Sequence, residues 1–393
     1  MPTAWEGCVN PYEGFCLNSY YGHRPVRPLL ALNEICTSPV SERGFEKASC
    51  NFIVLYYLST CAAVSVHYAG ENRRIELHFR MPSRARIIPE RPPVFPPMPG
   101  WLRRGAAALS ADDAMFSAGA ALAAIHPIAR SEHPLPLLWR QRLSLTNAAV
   151  LARYGGRTED EAALRDAWYL RREADDPGPG GRILKAWRHL GERDAMIAER
   201  WQLRLATLFE LRLDDPLEDV VGLARRLAEG KGSAVAGAAE IAAASMRFIP
   251  HSEAVALWLA DIVLAHRLNW PMAVPLIAAH VRRADLRAAG KEGFPNETWS
   301  AMCATAYARA AVAAADLYAE LARRAERLLT AAPKLRARDA DTMVAILLME
   351  DAQPASAGKS ASDRSTRRLF ERLVSLGAVR ELTGRSAFRL YGL

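Results

Sequence analysis

Between residues 112 and 336 the chain is a succession of alanine-rich, helix-patterned segments divided by proline and glycine. Alanine has the highest helix propensity, and its small side chain lets helix axes approach closely. Runs such as residues 242–244 and 310–315 therefore predict tight helix–helix seams. No comparable series of β-branched strands interrupts them, which restricts this part of the chain to an all-α body.

The breakers set the helix order. Thr158-Glu159-Asp160-Glu161 reads as a capping box that opens a helix through Leu164, Trp168 and Leu170. Asp175-Asp176-Pro177-Gly178-Pro179-Gly180-Gly181 cannot continue it. Helices follow over residues 182–190, 194–213, 218–229, 233–246 and 253–268. Pro271 restarts a helix that runs to residue 289, and the longest stretch is 297–330.

That body carries no pattern of chemistry. The loop at 175–182 precedes a helix N-terminus, an anion-binding position, but its two aspartates oppose an anion. Gly230-Lys231-Gly232-Ser233 lacks the spacing of a phosphate-binding loop. His126, His133, His189, His251, His266 and His280 form no i, i+4 pair with the glutamate of a helical zinc site. Cys303 reads as a small buried apolar residue, and Trp139, Trp168, Trp187, Trp201 and Trp258 as core. Arg140 and Arg142, with Arg153 and Arg157 beyond, read as a solvated helix face rather than a second basic patch. No catalytic, cofactor-binding or metal-binding residue is assigned, and the reading leans away from an enzyme.

The tail from Ser362 to Leu393 is different. Ser362 or Asp363 caps a helix on which Leu369, Leu373 and Leu376 share one face. At about 100° per residue, Arg364, Arg367, Arg368 and Glu371 fall on the opposite one. Gly377 ends the helix, and short alternating runs at 379–382 and 388–391 flank Thr383-Gly384-Arg385-Ser386, a turn of hairpin length. A basic helix followed at once by a hairpin is the C-terminal half of a winged helix-turn-helix, whose helix enters the DNA major groove.

Charge sits in the same place. Residues 359–393 hold eight basic and three acidic side chains, a net of +5, whereas residues 105–358 have a net of −1. Neutralising about five phosphates implies a log K against log salt slope of about −4 to −5. The alternative use of the same tail is to dock a protein partner, with its arginines merely solvated.

The first 81 residues differ in composition. They hold five of the six cysteines (Cys8, Cys16, Cys36, Cys50 and Cys61), at spacings that fit no zinc site. Residues 52–69 lack any Asp, Glu, Lys or Arg, which touches the lower limit for a membrane span. Polar residues dilute that stretch, and its β-branched and aromatic residues equally suit strands. A third reading, preferred here to a membrane anchor, is upstream sequence before a true start at Met81 or Met98. Residues 81–100 contain seven prolines and form an extended connector.

Three stretches together, Gly156 to Asp166, Asp175 to Gly181, and Phe370 through Gly377–Arg385 to Leu393, resemble a bacterial family catalogued as domain of unknown function 1403. The likeness covers about residues 95–393 and implies no activity. Residues 376–385 (LGAVRELTGR) are also similar to the winged-helix tails of Fic-type adenylyltransferases, which are regarded as DNA-binding. The Fic signature itself is missing. After His266, the best-placed histidine, every residue that signature fixes is absent from its place.

The expected architecture is mainly α. It has a doubtful N-terminal segment (1–81), a proline-rich linker (82–104), a multi-helical domain (105–335) and a C-terminal winged helix-turn-helix with a small β-hairpin (336–393). The expected function is non-enzymatic binding of double-stranded DNA, as a cytoplasmic regulator or a plasmid or chromosome maintenance factor. Arg364, Ser365, Arg367 and Arg368 act from the helix, and Arg385 and Arg389 from the wing. Neither a cofactor, a metal nor a membrane is expected, and the alanine-rich helices offer a homodimer seam. The alternatives are a scaffold that docks a protein partner, or a catalytically dead relative of Fic-type enzymes.

Overall fold

The computed structural model describes residues 64–69, 74–79, 90–104, 110–172, 175–335, 340–355, 363–385 and 388–393. The chain divides into two compact units, residues 1–85 and 86–393. In the first, β1 (Val64–Ala69) and β2 (Arg74–Phe79) pair antiparallel, with Val64 opposite Phe79 and Ala69 opposite Arg74. Of the stretch 52–69, residues 64–69 are strand, and residues 52–63 lie outside the described residues. Cys8, Cys16, Cys36, Cys50, Cys61 and Met81 lie outside the described residues.

The second unit is helical. Its elements are α1 (Gly100–Arg104), α2 (Ala111–Arg130), α3 (Leu135–Tyr154), α4 (Glu161–Leu170), α5 (Gly178–Leu190), α6 (Trp201–Phe209), α7 (Asp215–Glu229), α8 (Ala234–Phe248), α9 (Glu253–Arg267), α10 (Arg283–Ala289), α11 (Asn296–Ala331) and α12 (Ala340–Leu347). They are followed by β3 (Gln353–Pro354), α13 (Asp363–Ser375), β4 (Arg380–Glu381) and β5 (Leu390–Gly392). Among the described residues no helix is long and apolar enough to cross a membrane.

Helix α9 lies at the centre, with every residue from Val255 to Ala265 buried, all of them apolar except Asp261. Each large aliphatic side chain buried there contributes about 1.5–3 kcal/mol. Helices α7 and α8 cover it on one side, α5 on another. The 36-residue α11, about 54 Å long at 1.5 Å per residue, packs along α2 and also touches α3 and α8. Alanine serves these seams in two ways. Ala114, Ala118 and Ala121 of α2 and Ala311, Ala314 and Ala325 of α11 recur at helical spacing and are buried. Alanine also leaves its own carbonyl reachable. The indole N–H groups of Trp139, Trp201, Trp258 and Trp299 donate to the carbonyls of Ala314, Ala195, Ala186 and Ala239 at 2.8–3.0 Å.

Several expected elements shift for local reasons. Asp160, not Thr158, caps α4, because its extended backbone lets the carboxylate accept the N–H of Ala163 at 2.8 Å. Helix α5 begins inside the glycine–proline run, at Gly178, whose φ of +71° suits glycine. The expected helix over 194–213 is two 3₁₀ turns and the short α6, which stops where Glu210 turns left-handed.

Residues 271–282 form no α-helix, contrary to the expectation from Pro271, and hold only a 3₁₀ turn at Ile277–Ala279. Their backbone is bound by buried side chains of other elements instead. The Asp261 carboxylate accepts the N–H of Leu276 at 2.8 Å. Asn147 bridges the Pro275 carbonyl and the Ala279 N–H. Arg140 donates to the carbonyls of Ala273, Met272, Ala129 and Pro136. Arg140 is therefore a buried peg rather than part of a solvated face. The proline-rich segment is extended and packed: Tyr318 donates to the Pro93 carbonyl, and Met98 is buried.

Candidate nucleic-acid interface

Helix α13 forms because its apolar residues recur at helical spacing. Thr366, Leu369, Phe370 and Leu373 are buried, and Leu376 is half-buried. Arg367, Arg368, Glu371 and Arg372 occupy the exposed arc. Gly377, at φ +65°, stops the helix, and the Ala378 N–H returns to the Leu373 carbonyl at 3.0 Å. The chain then enters β4.

The sheet beside it has the order β3-β5-β4, all antiparallel, so the last strand lies between two earlier ones. Strand β3, unforeseen in the sequence, is two residues long and includes a proline. Tyr391 of β5 stacks on Phe370 with ring centroids 4.3 Å apart, which seats the helix on the sheet. Gly392 is required where it stands: a Cβ there would lie 2.6 Å from the Asp351 carbonyl oxygen. In the β4–β5 turn, Glu381 accepts from Thr383 and Gly384. Partial burial works against its charge, but those hydrogen bonds prevail and hold it below the usual carboxylate range.

The expected contact residues divide. Ser365, Arg367 and Arg368 are exposed on α13. The side chain of Arg364 and the candidate cap Ser362 lie outside the described residues. In the β4–β5 turn, Arg385 is 3.2 Å from Asp166 of α4, though its side chain stays 56% exposed. Arg389 donates to the Arg385 carbonyl at 3.0 Å. The arginines of the turn thus brace it as well as facing solvent. Arg372, which the sequence reading left out, shares the exposed arc, four residues from Arg368. Phe388, next to Arg389 in the chain, is 75% exposed with φ +56°.

The tail is bolted to the helical body by buried charge. The Asp351 side chain is fully buried and pairs with Arg188 of α5 at 2.9 Å. Burial opposes the Arg188 charge, but Asp351 and Tyr169 together hold its pKa above the ordinary value. Arg188 also donates to the Tyr169 hydroxyl at 3.1 Å, and Tyr169 in turn reaches Glu350. Arg142 of α3 donates to the carbonyls of Asp351 and Leu393 at 2.9 and 3.1 Å. Arg165 of α4 donates to the Leu382 carbonyl and to Asp166. Trp168, expected in the core, is half-buried under the guanidiniums of Arg171 and Arg188. These residues share no sequence motif, since their partners lie some two hundred positions away.

Elsewhere, Cys303 is fully buried and burial raises its thiol well above the ordinary value. His266 is half-buried, edge-on to Trp201 at 5.2 Å, and burial lowers its pKa. Among the described residues no group of three or more His, Cys, Asp or Glu side chains stands close enough to hold a metal ion.

Residues 90–393 match the model of the family described as "Protein of unknown function (DUF1403)", and the chain belongs to that family. No curated protein matches it.

Proposed function

We propose that this member of the DUF1403 family binds duplex DNA through its C-terminal tail, as a winged helix without catalytic activity. Helix α13 lies in the major groove, and the β4–β5 turn rests on the neighbouring backbone. The observation that carries this reading is the division of α13: its apolar face is spent on the sheet, which leaves Arg367, Arg368 and Arg372 turned outward. The antiparallel β3-β5-β4 order supports it, because a winged helix places its last strand between the other two. The likeness of residues 376–385 to Fic-type tails points the same way. Ser365 and Arg364 complete the helix contribution, with Arg385 and Arg389 from the wing.

Retardation of a duplex by the full chain across a salt series tests it. We expect binding at low salt that weakens steeply with salt, and Arg367→Ala/Arg368→Ala/Arg372→Ala to flatten the log–log slope by about 3. No duplex binding at low salt overturns the reading.

A second use has its own observation. Phe388 and Val374 expose large apolar side chains on the same tail, and Arg385 is already engaged with Asp166. They suit docking to a protein. Binding to a defined partner that survives loss of Arg367 and Arg368 but not Phe388→Ser would favour that scaffold role.

A further inference from the structure

The geometry points to a second DNA-contacting surface on the helical body: the groove between the last turns of α11 and the end of α13, which takes the phosphate backbone flanking the α13 site. This rests on the DNA-binding reading and extends it to residues outside the tail. Arg323, Arg327, Thr330 and Lys334 stand at i, i+4, i+7 and i+11, so they form one stripe along the end of α11 and the turn after it. With Glu326, Ala331 and Leu376 they line an open groove of about 380 Å³.

Two arguments identify the occupant. The first is charge. Arg323, Arg327 and Lys334 are exposed, and among the described residues they have no carboxylate partner. Glu326 is the one acid among the lining residues, and the Thr330 hydroxyl is spent on the Glu326 carbonyl. Behind the stripe, burial first, then the charges of Arg380 of β4 and of Arg327, oppose the charge of Arg324 of α11, against its pairing with Glu320. Cations held together across this seam are relieved by an anionic partner. The second is position. Leu376, the residue just past the end of α13 and four after Arg372, lines the groove. The C-terminal end of the helix proposed to contact DNA therefore stands at the wall of the groove.

The test uses the full chain and two labelled duplexes, one confined to the α13 footprint and one extended on both sides. Arg323→Ala/Arg327→Ala/Lys334→Ala should flatten the salt slope on the extended duplex by about 2–3 and leave the short one nearly unchanged. Glu326→Gln should change the extended-duplex affinity the other way, tightening it severalfold, an effect that misfolding does not imitate. If the unaltered chain binds both duplexes and neither variant shifts the extended one, the groove proposal falls while the tail reading stands. If the unaltered chain binds neither duplex, both fall.

Discussion

The carboxyl of Asp261 is fully buried in α9, where it accepts backbone N–H groups from Leu276 and Ile277. Burial pushes its pKa up to about 7, with those two donors and Tyr307 opposing. An unfolded aspartate titrates near about 3.9, so the folded chain binds more protons between the two values. The stability linked to this group is present in full below about pH 4 and is lost as pH rises through 7. Asp261→Asn should flatten that part of the profile, measured as the urea midpoint from pH 5 to 8; an unaltered profile would exclude Asp261 as its source. The sequence shows Asp261 only as a polar residue in an apolar helix. Its role, like that of Arg140, depends on a backbone segment between the α-helices that reaches it from elsewhere in the chain.

At the scale of elements, α13 was legible because leucine spacing alone separates its two faces. The long α11 was legible to within a residue at each end, because Pro295 and Pro333 bracket it. Strand β3 was not. Two residues with a proline carry no strand signal, and their pairing exists because β5 passes alongside. Strand β5 itself lies so close to Asp351 that Gly392 has no room for a side chain. Gly392→Ala should destabilise the fold by about 1–3 kcal/mol, read as a lowered melting temperature. A melting curve unchanged by the extra methyl would show that the contact relaxes freely.

For the molecule as a whole, the tail belongs to the same compact unit as the helical body, residues 86–393. Asp351 is the pivot, and Asp351→Ala leaves the buried Arg188 charge without its partner, a loss of about 3–5 kcal/mol. Hydrogen exchange should show α13 and β3–β5 deprotected before α8 and α9; uniform loss would mean that the tail has no separate hold on the body. By itself the sequence determined what depends on neighbours along the chain: an all-α body, most helix boundaries, and a basic helix followed by a hairpin. Periodicity, capping and breakers are local, so they are written in consecutive residues. Only the tertiary structure decided that Arg140 is buried, that 271–282 leaves the helix, and that Arg142, Arg165 and Arg188 clamp the tail. Those outcomes arise because a buried charge or carbonyl takes whichever partner the packing brings within about 3 Å, and that partner lies far off in the chain.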